Sequence, residues 1–96
     1  MTLDELRASE RDHILAIARR HGVTDVKVFG SFARGDARVD SDLDLLVEAG
    51  PKTSAFFPGG LLADLEDLLG RHVEVVEEQG LHHAIRDRIL KGAVPL

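Results

Sequence analysis

The sequence predicts an α/β or α+β domain in which a small sheet is covered by amphipathic helices, and three observations support this. Apolar residues recur at helical spacing in three segments; short alternating or β-branched runs stand between them; and glycines or polar turns mark the junctions. The expected order is helix, strand, short helical turn, strand, helix, strand, helix.

The first helix opens with Thr2 and Glu5 in capping-box spacing, and Leu3, Leu6, Ile14, Ile17 and Ala18 fall largely on one face. Gly22, after His21, is the expected stop. Val26-Lys27-Val28-Phe29-Gly30 alternates and is β-branched, as in a strand running into a glycine turn. From Ser31 to Ser41 small and polar residues predict a short helical turn and then a loop. Residues 42–47 form the next predicted strand, with Asp42 and Asp44 on one face and Leu43, Leu45 and Val47 on the other, inward one. Gly50-Pro51-Lys52 marks a turn, and the stretch to Gly60 is the least regular of the chain. Leu61, Leu62, Leu65, Leu68 and Leu69 predict a helix ending at Gly70, and Val73-Glu74-Val75-Val76 predicts a third strand. Leu81, Ile85 and Ile89, four apart, predict the apolar stripe of a last helix.

With 96 residues, the expectation is one domain over 1–96, burying roughly 60–65% of its unfolded-chain surface and leaving no room for a separate cofactor or acceptor domain. The absence of cysteine removes disulfide frameworks and thiolate metal sites and points to a reducing cytoplasm. A formal net charge of -5 argues against direct nucleic-acid binding through bulk charge, although a local basic patch stays open. The opening Met1-Thr2-Leu3-Asp4-Glu5 has no positive n-region or apolar h-region, and the apolar runs are too short to span a bilayer, so neither export nor a membrane is expected.

The chemistry concentrates in Gly30-Ser31, ten further residues, and Asp42-Leu43-Asp44. A Gly-Ser pair at a strand-to-helix junction offers backbone N–H groups and a hydroxyl to a phosphate. Two carboxylates on one strand face suit Mg²⁺, a hard cation that bridges readily to substrate phosphates. Together they describe a site for a metal–nucleoside triphosphate. Glu74, the only acid inside the third strand, is the candidate for a third carboxylate, as a two-metal arrangement would need.

The string GSFARGDARVDSDLDLLV, carrying Gly30, Ser31, Asp42 and Asp44, resembles the signature of the minimal nucleotidyltransferases of the DNA polymerase β-like superfamily. GRHVEVVEE (Gly70 to Glu78) and IRDRILKGAVPL (Ile85 to Leu96) look like that family's third strand and last helix. The resemblance implies the nucleotidyltransferase fold, with a small mixed sheet, and the transfer of AMP from ATP to an acceptor hydroxyl with release of pyrophosphate. It implies that Gly30 and Ser31 contact the triphosphate, that Asp42 and Asp44 ligate Mg²⁺, and that Glu74 stands at the third carboxylate, where many relatives carry Asp. Many such proteins are encoded beside a helical HEPN protein and act as its antitoxin, some by adenylylating the toxin, so a HEPN-type partner is implied. Two alternatives remain at this stage: a non-catalytic antitoxin that masks its partner, and an adenylyltransferase acting on a small molecule.

Arg34 and Arg38 lie between the turn and the carboxylates, where each could neutralise a triphosphate or pair with Asp36 and Asp40. Arg34, one helical turn after Ser31, is the stronger phosphate candidate. Adjacent His82 and His83 are expected to point apart, a poor metal-ligand geometry. Phe56 and Phe57 are expected to pack over the core, and Arg86, Arg88 and Lys91 to form a solvated basic face.

Overall fold

A computed structural model describes residues 1–54 and 56–96. The first helix, α1 (Leu3–Arg20), starts as the capping box requires: Thr2 Oγ1 accepts from Glu5 N–H and the Glu5 carboxylate accepts from Thr2 N–H, both at 3.2 Å. Leu6, Ile14 and Ala18 bury its inner face, while Leu3 and Ile17 pack at its margin. Because the reciprocal cap satisfies two otherwise unpaired donors, Thr2→Ala is expected to cost about 1 kcal/mol, read as a lower thermal midpoint with unchanged helix content.

Strand β1 (Val23–Phe29) follows, and it is longer than the alternating run suggested because Val23 is also buried. The strand ends at Phe29, and Gly30 opens the short helix α2 (Gly30–Arg34) at the expected junction; Gly35 closes that helix in the left-handed region. Strand β2 (Leu43–Ala49) pairs antiparallel with β1, helix α3 (Gly59–Leu69) crosses back, and strand β3 (Val73–Glu77) joins β2 in parallel. After a 3-10 turn at Glu78–Gly80 come helix α4 (His83–Gly92) and strand β4 (Val94–Pro95). The mixed sheet has the order β3-β2-β1-β4.

The register places Leu43 beside Val73 and Leu45 beside Val75, so their alternation builds one apolar sheet face. That face, with Val26, Val28 and Val47, packs against α1 and α3, and Leu61 and Leu65 fill the space between. Leu46 points the other way and is nonetheless buried. No helix among the described residues is long and apolar enough to cross a membrane.

Four expectations need correction. Strand β4 is not visible in the pattern, since a two-residue pairing with a proline in it, at the sheet edge beside β1, has no periodicity to read. The last helix begins at His83, so Leu81 precedes it, and its stripe is not buried: Ile85 is 53% exposed and no α4 residue lies fully inside. His82 caps that helix, its ring accepting from Ala84 N–H, and it stacks on His83 with ring centroids 4.5 Å apart instead of diverging. Phe57 packs on the core as expected, but Phe56, with a φ of 62°, is 91% exposed.

The end of the sheet away from α2 is fastened by His21. Its ring bonds Ser54 Oγ through Nδ1 at 2.5 Å and the Asp64 carboxylate through Nε2 at 2.8 Å, tying α1, the loop after β2 and α3 together. The opposite end is thereby left to the residues of the motif.

Candidate active site

Asp44 is the second residue of β2 and has a neighbour on each side: its Cα pairs with Phe29 of β1 and with Glu74 of β3. Strands lie about 4.8 Å apart, so the Asp44 and Glu74 carboxylates emerge side by side on the sheet face turned away from α1 and α3. Asp42 stands one residue before the strand and is exposed. Glu74 is exposed as well, so the acids grade from the half-buried Asp44 to a solvated rim.

Gly30 closes the site from the β1 side. Its φ of 73° lies in the left-handed region, and a Cβ built on it would overlap Asp44 Oδ2 and come within 3.0 Å of Asp44 Cγ. The position therefore needs glycine twice, for the backbone and for the space the carboxylate occupies. Ser31 follows as the second residue of α2, and Arg34 ends that helix.

The electrostatics match the crowding. The Asp44 carboxyl is pushed up from 3.8 to about 6, first by burial, then by repulsion from and a hydrogen bond to Glu74, and by Asp42; Arg34 opposes the shift. Arg34 also bonds Asp36 at 3.3 Å, the surface pairing that was one of its two sequence readings. Arg38 makes no ion pair among the described residues; its backbone N–H donates to Ser41 Oγ at 2.7 Å.

Because the folded-state value of Asp44 is raised, its proton contributes stability that is fully present below pH 3.8 and is lost as the pH rises through about 6. Without metal, the native protein is thus expected to lose about 1–2 kcal/mol across that window, after allowance for the solvated part of the carboxylate. Thermal midpoints of the metal-free protein against Asp44→Asn should diverge with rising pH; parallel curves would remove this explanation.

Sequence reasoning placed Gly30, Ser31, Arg34, Asp42, Asp44 and Glu74 in one site, and the fold gathers them at one end of the sheet. Among the described residues, however, no group of three His, Asp or Glu side chains is placed to hold a metal ion. The donor set still suits a hard divalent cation held by carboxylates plus substrate oxygens, which is how Mg²⁺ is commonly bound. Around Asp44, Glu74 and Asp42 raise its value and Arg34 lowers it, so negative charge dominates at this carboxylate. One residue escaped the motif reading: Arg71, whose guanidinium reaches the carbonyl of Ser41. No spacing rule marks it, because its partner lies 30 positions away.

The model of the nucleotidyltransferase domain family matches residues 10–96, which takes in every residue of this constellation. The chain belongs to that family. It is similar to the protein adenylyltransferase MntA of Thermococcus cleftensis, at 35% identity over 98% of this chain and 95% of the relative. A solved structure provisionally named a minimal nucleotidyltransferase superposes with a TM-score of 0.85 at 46% identity, covering 100% of this chain and 97% of that one. The fold is also that of a chain in the structure of a tri-AMPylated HEPN toxin of Shewanella oneidensis in complex with MNT antitoxin, where the TM-score is 0.70 at 15% identity over 93% of this chain and 70% of that one. The nucleotidyltransferase fold and the transferase class expected from the motif are both borne out.

Proposed function

We propose that this nucleotidyltransferase moves AMP from ATP, with Mg²⁺, to a hydroxyl on a HEPN-type protein partner, as the antitoxin half of a toxin–antitoxin pair. The observation that carries the reading is the contact between the Gly30 turn and Asp44: a glycine that opens a helix lies directly against a half-buried carboxylate flanked by two more acids. The adenylyltransferase name of the Thermococcus cleftensis relative and the AMPylated toxin in the Shewanella oneidensis complex supply the acceptor class.

In this reading Gly30 and Ser31 receive the triphosphate at the start of α2, the hydroxyl and backbone N–H groups donating to its oxygens. Asp42 and Asp44 hold the cation, and Arg34 adds positive charge from the end of α2. When bound, Mg²⁺ neutralises phosphate charge and polarises the phosphoryl group under attack. Glu74, at the solvated rim, takes the proton of the incoming hydroxyl as its oxygen bonds to the α-phosphorus. The bond from that phosphorus to the bridging oxygen breaks, and pyrophosphate leaves. Positioning and charge neutralisation supply most of the rate.

The test is incubation of the purified protein with α-labelled ATP, Mg²⁺ or Mn²⁺ and the protein encoded beside it, with D42N and D44N as controls. Label on the partner that disappears in both variants is the expected result. Label transfer that survives in both would show that these carboxylates are not the site. The exposure of Glu74 favours one second reading, a partner-masking antitoxin without transfer; there the double Asp variant would still bind and neutralise the partner in cells, and no label would appear with wild-type protein.

A further inference from the structure

Asp44 and Asp42 are held by different means. Asp44 lies inside the ladder with a strand on each side, whereas the ladder to β3 begins only at Leu43, whose N–H donates to His72 O at 3.1 Å. Asp42 is thus the last residue of a loop, and something other than the sheet must fix it. The loop turns on Ser41: its hydroxyl accepts from Arg38 N–H at 2.7 Å, and its own N–H donates to Arg38 O at 3.0 Å.

Arg71 reaches this turn from the other side. Gly70 ends α3 with a φ of 63°, which reverses the chain and sends the half-buried Arg71 back over α2. Its Nη1 donates to the Ser41 carbonyl at 2.8 Å, and its Cζ lies 5.1 Å from the centroid of the Phe32 ring. Phe32 is 1% exposed and is the third residue of the helix that Gly30 and Ser31 open. Among the described residues Arg71 has no carboxylate partner. One side chain therefore meets both halves of the site, the phosphate-side helix at the Phe32 ring and the carboxylate loop at the Ser41 carbonyl.

We infer that Arg71 is a positioning residue of the transfer site, clamping the Ser41–Asp42 backbone to α2 so that Asp42 and Asp44 act on the same cation. The inference rests on the proposed reading of those two aspartates. A guanidinium suits the place: its delocalised charge can lie over a ring while one of its several N–H groups donates to a carbonyl, a combination that a lysine ammonium with its compact charge reproduces poorly.

The test is Mn²⁺ titration of wild type, R71A, R71K, D42N and D44N without nucleotide, followed by the electron paramagnetic resonance of the free ion, together with hydrogen exchange at amides 38–42. R71A is expected to bind Mn²⁺ roughly tenfold to a hundredfold more weakly, the range seen when a group supporting a ligand is lost. Exchange at 38–42 should rise, and turnover should fall in kcat more than in KM for ATP. R71K guards against a folding defect: it should match wild type in thermal midpoint yet keep most of the loss in Mn²⁺ affinity. Wild-type affinity in R71A, or full recovery in R71K, would overturn the inference, as would a rise in KM for ATP alone, the mark of a direct phosphate contact. If D42N and D44N also bind Mn²⁺ like wild type, the reading of the site fails and this inference with it; if only R71A does, the site stands and the clamp does not.

Discussion

Asp44→Asn is expected to lower AMP transfer by about a thousandfold or more while making the metal-free protein harder to unfold. Both effects come from the same crowding. The carboxylate is half-buried, lies beside Glu74 and near Asp42, and is held at a raised value of about 6, so at neutral pH the folded chain keeps an ionised group where it is disfavoured. Asparagine preserves the shape and removes the charge. Stability should then rise by about 1–2 kcal/mol at neutral pH, and the gain should shrink on acidification, when the native carboxyl is protonated anyway. Activity is lost because a neutral amide is a poor ligand for a hard cation. A single-turnover assay with labelled ATP, paired with denaturation of both proteins with and without Mg²⁺, separates the two terms. Wild-type protein should gain more from the metal than the variant does; equal gains would mean the cation sits elsewhere.

Gly30→Ala is the second large effect, and here stability and activity should fall together. An L side chain at a φ of 73° costs about 1–2 kcal/mol from the backbone alone. The added methyl also overlaps Asp44 Oδ2, so the carboxylate must swing away or β1 and β2 must separate. β1 and β2 are central strands fixed by the antiparallel register around Asp44, which makes the side chain the cheaper thing to move. A displaced ligand of this kind is expected to lower kcat by roughly a hundredfold, since about an ångström of misplacement is enough. Gly35→Ala is the matched control: it too has a left-handed φ, 83°, but a Cβ there meets nothing within 4 Å. It should show the backbone penalty and keep the activity. Similar turnover in the two variants would mean that the Gly30–Asp44 contact has no catalytic weight.

The parts of the molecule legible in the sequence are those governed by local periodicity or by one steric demand. The alternation of 42–47 set which face of β2 holds acids, and Val73-Glu74-Val75 did the same for β3. Thr2 and Glu5 mark the first helix because a capping box needs only four residues of context. What escaped depends on partners distant in the chain. The pairing of Val94–Pro95 with β1 has no pattern of its own, and the α4 stripe reads as core although the sheet beneath offers it little cover. Within the site, residue types predicted that acids would meet a glycine turn, but not that the turn would lie so close to Asp44 that a Cβ at position 30 would overlap its carboxylate, nor that Arg71 would reach the Ser41 carbonyl.

The parallel pairing of β2 with β3 has a consequence for quality control. Asp44 faces Glu74 while Leu43 faces Val73 and Leu45 faces Val75, so one register sets both the acidic end and the apolar face. A slip of β3 by a single residue would exchange Glu74 for a valine at the site and carry the carboxylate into the hydrophobic interior. A chain misfolded in that way would be inactive and unstable together. The strand thus proofreads its own alignment, and no stable population of well-folded but miswired molecules is expected to accumulate.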